Sequence, residues 1–433
     1  MGFALAAIVV LALLVAVHRY VWRRFVGDTT AAGSPLRRAG TVAAYVLPLL
    51  SVGALVSGRT GAPFWLQQVL AWPGYLWLAA LLYLTLALLV GEAVRPLLRR
   101  VLARRATETG EAGEITTGAP TTSATTGAST ASTASTASAA SATEARTAAP
   151  PAPAPAADSS SRRLFVARAV GGAAAVAGLG TVGYGTYGVL RGPRVKRVTV
   201  PLARLPRSAH GFRIAVVSDI HLGPILGRAH TQRIVDTVNR TQPDLIAVVG
   251  DLVDGSVADL GPAAEPLAGL RSRHGAFFVT GNHEYYSGAA QWVDHVRELG
   301  LHPLENARVE IDGFDLAGVN DIGGESEGQG PDFGRALGDR DRSRAAVLMA
   351  HQPVVIDDAV AHGVDLQLSG HTHGGQLWPG NYVAELSNPT VAGLERYGDT
   401  QLYVTRGAGA WGPPVRVGAP SDITVVELAS TRA

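Results

Sequence analysis

Three long stretches without a charged side chain lie in the first hundred residues and restrict the fold more than any other feature. They cover residues 3–17, 40–58 and 63–90. A helix that crosses the hydrocarbon core of a membrane needs about 20 mostly apolar residues. The second and third stretches reach this length, and the first does so if residues 18–22 lie in the interface. The alternative is helices buried in a soluble core, but arginines flank the stretches. We therefore predict three transmembrane helices in residues 1–105.

The composition agrees with a chain that is partly embedded in lipid. Hydrophobic residues make up 47% of the sequence and charged residues only 17%. The formal net charge is +2, so nothing indicates a polybasic surface, and no nucleic-acid binding is expected. The sequence has no cysteine, which excludes disulfides, thiolate nucleophiles and cysteine-type zinc sites. A metal ion would have to be bound by His, Asp, Glu or Asn.

Residues 106–160 consist largely of Ala, Ser, Thr and Pro and predict a disordered linker. A fourth uncharged stretch follows at 169–190, behind the sequence SRRLF. Within residues 161–192, this pattern fits either a transmembrane helix or a twin-arginine-like export segment. The positive-inside rule places the N-terminus outside, the linker in the cytoplasm and the remainder outside the cytoplasm. Four basic residues on the far side oppose this assignment: Arg191, Arg194, Lys196 and Arg197.

Residues 198–433 have the pattern of an α/β domain. Short, nearly continuous apolar runs such as FRIAVV and LIAVV recur, as expected for strands covered on both faces. Helical stretches at 228–240 and 289–299 lie between some of these runs.

Ligand-type side chains follow nearly every predicted strand. These residues are Asp219, His221, Asp251, Asp254, Asn282, His283, His351, His371 and His373. The carboxyl ends of adjacent strands meet at one edge of an α/β sheet, so we expect these side chains to converge there. Carboxylates, imidazoles and an amide suit manganese, iron, zinc or cobalt. The set is too large for one tetrahedral ion and fits two ions with a bridging carboxylate, about 3.5–4 Å apart.

Five blocks of this sequence resemble, in order, the signature motifs of the calcineurin-like metallophosphoesterases. They are SDIHLG (218–223), GDLVDG (250–255), GNHEYY (281–286), AHQP (350–353) and GHTHGGQ (370–376). The last block and the later stretch 404–428 are similar to the bacterial membrane-associated branch. The resemblance covers about residues 213–407. It implies a four-layer α/β/β/α sandwich, here preceded by an N-terminal transmembrane helical region.

The resemblance also implies a role for each site residue. Asp219, His221 and His373 would bind the first metal ion. Asn282, His351 and His371 would bind the second. Asp251 would bridge the two ions. His283, adjacent to a ligand but not one itself by the resemblance, would be the general acid. From its position three residues after Asp251, Asp254 would hydrogen-bond His283 or, alternatively, cap a turn.

The HTH sequence should direct both histidines to the metal site. In an extended segment, side chains two residues apart point to the same side, so His371 and His373 face the ions and Thr372 faces away. Gly370, Gly374 and Gly375 should allow the backbone to turn tightly and approach the ions.

The predicted chemistry is hydrolysis of a phosphoester. Two bound ions lower the pKa of a water molecule, and the resulting metal-bound hydroxide attacks phosphorus. His283 protonates the leaving alkoxide. The predicted membrane location favours a phospholipid, lipid-linked or cell-envelope substrate. The alternatives are a nucleotide or cyclic-nucleotide phosphodiesterase and a non-catalytic metal-binding scaffold.

Overall fold

The computed structural model describes residues 2–114 and 157–432. Its helices are α1 (Gly2–Trp22), α2 (Pro35–Ser57), α3 (Phe64–Glu114), α4 (Ala157–Leu190), α5 (Arg228–Arg240), α6 (Val257–Ala264), α7 (Asn282–Ser287), α8 (Ala289–Glu298), α9 (Phe333–Leu337), α10 (Ile356–Ala361) and α11 (Gly380–Ala384). Its strands are β1 (Arg194–Leu202), β2 (Phe212–Val217), β3 (Leu245–Val249), β4 (Ala276–Val279), β5 (His302–Pro303), β6 (Ala307–Ile311), β7 (Phe314–Gly318), β8 (Ala345–Met349), β9 (Leu366–Ser369), β10 (Gly393–Tyr397), β11 (Thr400–Val404) and β12 (Asp422–Ser430).

The N-terminal part is a bundle of long helices. Within the described residues, three helical stretches are long and apolar enough to cross a membrane: Pro35–Ser57, Phe64–Arg104 and Ser161–Leu190. The first predicted apolar stretch lies in α1. Helix α3 packs along α2 and α4, where Gly74 and Gly178 allow close approach. Because α3 continues to Glu114 and α4 begins at Ala157, helix occupies both ends of the predicted linker. Its remaining residues, 115–156, lie outside the described part of the chain.

The C-terminal part contains two six-stranded mixed sheets. Their strand orders are β1-β12-β2-β3-β4-β5 and β10-β11-β9-β8-β7-β6. Strands β2, β3 and β4 are parallel to one another, as are β7, β8 and β9. Each of these strands is short and almost wholly buried, which explains the continuous apolar runs in the sequence.

The apolar side chains of the domain are buried between its layers. Side chains such as Val216 and Phe314 fill the core between the two sheets. Helices α5, α6 and α8 cover the outer face of the first sheet with residues such as Ile234 and Trp292. Helices α9 and α10 cover the second sheet in the same way, for example with Ile356. The predicted four-layer α/β/β/α sandwich, preceded by apolar helices, is therefore confirmed.

The domain follows directly after α4 and also packs against the helical bundle. Three residues, 191–193, connect α4 to β1. Tyr83 of α3 donates a hydrogen bond to the carbonyl of Trp378 (3.0 Å). Val182 of α4 and Val415 of the domain share an apolar cluster with α3.

Candidate metal centre

The candidate site lies where loops leave five parallel strands at one edge of the two sheets. Strands β2, β3 and β4 of the first sheet lead to Asp219, Asp251 and Asn282. Strands β8 and β9 of the second sheet lead to His351 and His371. Because these strands are parallel within each sheet, their carboxyl ends bring distant sequence blocks together.

The first cluster contains Asp219, His221 and His373, whose ligand atoms all lie within 4.8 Å of one another. His221 Nε2 is 2.9 Å from His373 Nε2, and Asp219 Oδ1 is 3.4 Å from the same His373 atom. All three side chains are buried. The structure therefore brings together the three residues assigned to the first ion.

The second cluster contains Asp251, His351 and His371, again with ligand atoms within 4.8 Å. Asn282 adjoins it, since its Oδ1 lies 3.1 Å from His371 Nδ1. Asp251 is close to both clusters, because its Oδ2 is 3.1 Å from His351 Nε2 and 3.7 Å from His221 Nε2. A carboxylate in this position has the geometry that a bridging ligand requires.

Two histidines are held in the tautomer that metal binding needs. His351 Nδ1 lies 2.9 Å from the carbonyl oxygen of Val249, so Nδ1 carries the proton and donates it. The lone pair of His351 is therefore on Nε2, a buried atom that makes no hydrogen bond. His221 Nδ1 lies 3.0 Å from Asp254 Oδ1, which likewise directs its Nε2 toward the cluster, where it contacts His373 Nε2 at 2.9 Å. The Nε2 lone pair of His351 faces a carboxylate oxygen of Asp251 at 3.1 Å, an arrangement that fits a metal cation between two ligands.

Asp254 connects His221 to His283. Its Oδ1 lies 2.7 Å from His283 Nδ1 and 3.0 Å from His221 Nδ1. These three residues form another group with ligand-like spacing. However, if the Nε2 of His221 binds an ion, its Nδ1 carries the proton. Asp254 then acts as a hydrogen-bond acceptor, which agrees with its predicted pairing with His283.

The HTH segment reaches the site by a different geometry from the extended one predicted. His371 (φ 71°) and His373 (φ 53°) have left-handed backbone conformations, and a 3₁₀ turn begins at His373. Asp219, His221 and Asp251 also have positive φ. Such conformations cost about 1–3 kcal/mol each in residues other than glycine and are concentrated at functional sites. The two histidines therefore converge through strained turns, not through strand alternation.

Glycines allow the loops to come this close. A Cβ atom on Gly370 would collide with Ser218 Oγ and Asp219 Oδ2. A Cβ atom on Gly281 would collide with Asp251 Oδ1. Gly374 and Gly375 have positive φ, as the predicted tight turn requires.

Histidine pKa values at the clusters shift in opposite directions. Burial opposes the charged form of His221, but the carboxylates of Asp254, Asp251 and Asp219 raise its pKa to about 9. Burial, together with nearby His351, lowers the pKa of His371 to about 4. The carboxylates that favour a proton on His221 would also favour a bound metal cation.

Glu284 is a buried residue of the site whose role the sequence did not reveal. It is fully buried and accepts hydrogen bonds from the amides of Asp251 (3.0 Å), Leu252 (2.7 Å) and Gly281 (2.6 Å). It thereby joins the loop after β3 to the loop after β4. Burial and the Asp251 carboxylate raise the pKa of Glu284 to about 7. Its position three residues into the GNHE block was the available signal, because a glutamate there commonly caps a helix.

Arg416 is a second residue of the site that the sequence blocks did not reveal. Its Nη2 lies 2.9 Å from His373 Nδ1, and its Nη1 donates to the His373 carbonyl (3.0 Å). A guanidinium only donates, so the proton of His373 lies on Nε2 in this arrangement. Binding of an ion by Nε2 would require that proton to move and the Arg416 contact to change.

Comparisons with known proteins agree on one family. The calcineurin-like phosphoesterase profile matches residues 212–375. A "Transmembrane protein with metallophosphoesterase domain" from Danio rerio is 39% identical over 259 residues, covering 57% of this chain and 59% of that protein. An "Uncharacterized metallophosphoesterase" from Helicobacter pylori strain J99 is 37% identical, covering 58% of this chain and 68% of that protein. An "Uncharacterized metallophosphoesterase" from Aquifex aeolicus is 35% identical, covering 54% and 91% respectively.

The chain thus spans less than two thirds of its Danio rerio relative but nearly all of the Aquifex aeolicus relative. The matched residues 212–375 include both ligand clusters and, except for Gln376, all five sequence blocks. The sheet order, the ligand clusters and these similarities have one explanation: the chain belongs to the calcineurin-like metallophosphoesterases.

Proposed function

We propose that this protein is a membrane-anchored hydrolase that cleaves a phosphoester with the help of two metal ions. The observation that carries the proposal is the position of Asp251. Its Oδ2 lies within 4 Å of an imidazole Nε2 from each cluster, His221 in one and His351 in the other. Asp219, His221 and His373 would bind one ion, while Asn282, His351 and His371 would bind the second. Manganese, iron, zinc and cobalt all suit these ligands.

The bound ions would supply an activated water nucleophile and neutralise charge on the phosphoryl oxygens. The chain itself supplies the proton for the leaving group. His283 is half-buried, and its Nδ1 pairs with Asp254. That contact orients the imidazole, so that its Nε2–H can donate to the departing alkoxide.

A comparison of leaving groups tests these assignments. The full chain in detergent, loaded with Mn²⁺, should hydrolyse bis-p-nitrophenyl phosphate. Asp251→Ala should lose bound metal and nearly all activity. His283→Ala should keep its metal, and its kcat should fall about 100-fold with an alkyl leaving group, which needs a proton. The loss should be much smaller with p-nitrophenol, which leaves as a stable anion.

His210→Ala, a substitution remote from the clusters, is the matched control. It should retain wild-type activity with bis-p-nitrophenyl phosphate and with a phosphoester that has an alkyl leaving group. Full activity in Asp251→Ala would refute the proposed site. A wild-type protein that binds two ions yet hydrolyses no phosphoester would support the scaffold alternative instead.

The proposed arrangement in the membrane has four parts. Residues 1–105 form three transmembrane helices, 106–160 a linker in the cytoplasm, 161–192 a fourth crossing or export segment, and 198–433 the catalytic domain outside the cytoplasm. The three apolar helical stretches support membrane attachment. The Danio rerio relative, described as a transmembrane protein, supports it as well.

A further inference from the structure

A cleft of about 350 Å³ joins the candidate metal centre to the helical bundle. His221, Asp254 and His283 line its inner side. The opposite wall comes from α2, α3 and the turn between them, through residues that include Leu55, Arg59, Gln67, Tyr75 and Leu78. A molecule in this cleft would therefore contact both the catalytic domain and two candidate membrane-spanning helices.

The wall formed by the helices is largely apolar. Tyr75 donates a hydrogen bond to the carbonyl of Ala54 (3.2 Å), which fixes its ring between α2 and α3. Leu55 is exposed beside it, and Leu78 lies one turn farther along α3. Trp411 extends this surface on the domain side, where its ring packs edge-on against His283 with centroids 5.8 Å apart. An apolar group bound here would be adjacent to the proposed proton donor.

One positive charge stands at the entrance to the cleft. Arg59, in the turn after α2, is exposed and donates a hydrogen bond to the carbonyl of Leu55 (3.0 Å). Among the described residues, no carboxylate lies within ion-pair distance of Arg59. Its guanidinium is therefore available to pair with an anionic group that enters the cleft.

The domain surface next to the metal-binding HTH segment carries exposed apolar side chains. Trp378 is 50% exposed, Tyr382 59%, Val383 67% and Leu386 86%. The Tyr83–Trp378 hydrogen bond places this segment directly beside α3. Exposed patches of aromatic and aliphatic residues next to an apolar helix are suited to the interface of a membrane.

We propose that the substrate is a lipid phosphoester that enters the cleft from the membrane. This inference rests on the proposed hydrolase function. The apolar chains lie along α2 and α3, and the phosphate, which is the anionic part of the headgroup, lies between the ligand clusters, His283 and Arg59. In the reaction, water adds to phosphorus, the P–O bond to the alcohol breaks, and His283 protonates the departing alkoxide.

The inference is tested by comparing lipids with their soluble headgroups. The full chain in mixed micelles is assayed with dioleoyl phosphatidic acid and dioleoyl phosphatidylglycerol. The soluble counterparts are glycerol 3-phosphate and glycerophosphoglycerol. Bis-p-nitrophenyl phosphate, which has no acyl chains, reports on the metal centre alone. We expect kcat/KM for at least one lipid to exceed that of its headgroup about tenfold or more, since burial of acyl chains adds binding energy.

Arg59→Gln should lower kcat/KM for that lipid about tenfold, which corresponds to one lost ion pair with phosphate. It should lower bis-p-nitrophenyl phosphate hydrolysis clearly less, because this compound has no acyl chains that hold its phosphate beside Arg59. Leu55→Glu, which puts a negative charge on the apolar wall, should likewise lower kcat/KM for the lipid more than it lowers hydrolysis of bis-p-nitrophenyl phosphate. Arg38→Gln, an exposed arginine at the other end of α2, is the matched control and should behave as wild type with every substrate.

The outcomes separate the two proposals. If bis-p-nitrophenyl phosphate is hydrolysed but no lipid is preferred, or if Arg59→Gln affects lipid and reporter equally, the lipid inference is overturned and the hydrolase proposal stands. Faster hydrolysis of 2′,3′-cyclic nucleotides than of any lipid would also overturn it. A metal-loaded wild type that hydrolyses none of these compounds overturns both proposals.

Discussion

At the scale of single residues, the ligand clusters depend on groups that are not ligands themselves. Glu284 holds three backbone amides in two loops, and Asp254 fixes the ring orientation of two histidines. Arg416 contacts a third histidine, His373. These contacts explain how loops with several left-handed residues keep one conformation. The sequence blocks could predict the ligands and the pairing of Asp254 with His283. They could not predict the contacts of Glu284 and Arg416, because these residues bind backbone atoms that only the folded chain brings near.

Replacing Glu284 with glutamine should weaken both stability and metal binding. The amide group offers one acceptor oxygen in place of two, so at least one buried N–H among Asp251, Leu252 and Gly281 loses its partner. Each such loss costs about 1–3 kcal/mol. Thermal unfolding and Mn²⁺ titration of Glu284→Gln should both show the decrease, whereas Glu327→Gln, in an exposed loop, should not. Unchanged Mn²⁺ affinity would mean that Glu284 does not position Asp251.

At the scale of helices and strands, packing determines which features were predictable. The apolar runs predicted β2, β3, β8 and β9, and the strand-end residues followed from them. The insertion of β12 between β1 and β2 could not be predicted, because it pairs residues about 200 positions apart in sequence. The sequence also did not predict the length of α3, because charge patterns mark the end of an apolar stretch but not the end of a helix.

Helix α5 contains a buried titratable group whose protonation opposes folding. His230 is 1% exposed, and neither ring nitrogen has a hydrogen-bond partner among the described residues. Burial, aided by Arg233 and Arg416, lowers its pKa to about 3. Its neutral form therefore stabilises the fold above the unfolded-state pKa of about 6.5, and this contribution is lost as the pH falls toward 3.

When the pH is lowered from 7 to 5, His230 is protonated in the unfolded chain but not in the folded one. This difference should reduce the free energy of unfolding by about 2 kcal/mol. In His230→Leu that part of the pH dependence should vanish, as measured by urea unfolding of the full chain in detergent at both pH values. His210→Leu, at the surface, should keep the wild-type slope. Parallel slopes for wild type and His230→Leu would show that His230 is not neutral in the folded state.

The contact between α3 and α4 depends on Gly178. A Cβ atom there would lie 2.9–3.1 Å from side-chain and backbone atoms of Leu84, and the backbone cannot easily yield. Gly178→Ala should therefore push the helices apart and destabilise the bundle by about 1–3 kcal/mol. In Gly180→Ala nothing lies within 4 Å of the added methyl group, so stability should hold or rise slightly. Melting temperatures in detergent compare the two; equal values would contradict this packing.

At the scale of the whole molecule, the sequence predicted the fold class and the family, but not how its parts contact each other. Composition separates apolar helices from an α/β domain without indicating that Tyr83 and Val182 pack on the domain. Such contacts join two surfaces whose sequences do not show that either one has a partner. The cleft between α2, α3 and the metal centre is therefore a feature only of the assembled chain.

The proposed topology can be tested with reporter fusions. Alkaline phosphatase, which is active only outside the cytoplasm, should be active when fused after Ala433 and inactive when fused after Arg104. The physical reason is the distribution of arginines at the ends of the apolar stretches. An inactive fusion after Ala433, with normal expression, would place the domain on the cytoplasmic side.

The three-residue connection between α4 and β1 limits how far the domain can travel. Fully extended, the chain from Leu190 to Arg194 reaches only about 14 Å. If α4 is held in the bilayer, the domain stays close to the membrane surface, and under the proposed function it meets its substrate by two-dimensional diffusion. Turnover would then follow the number of substrate molecules per unit area, and dilution of the surrounding solution would leave it unchanged.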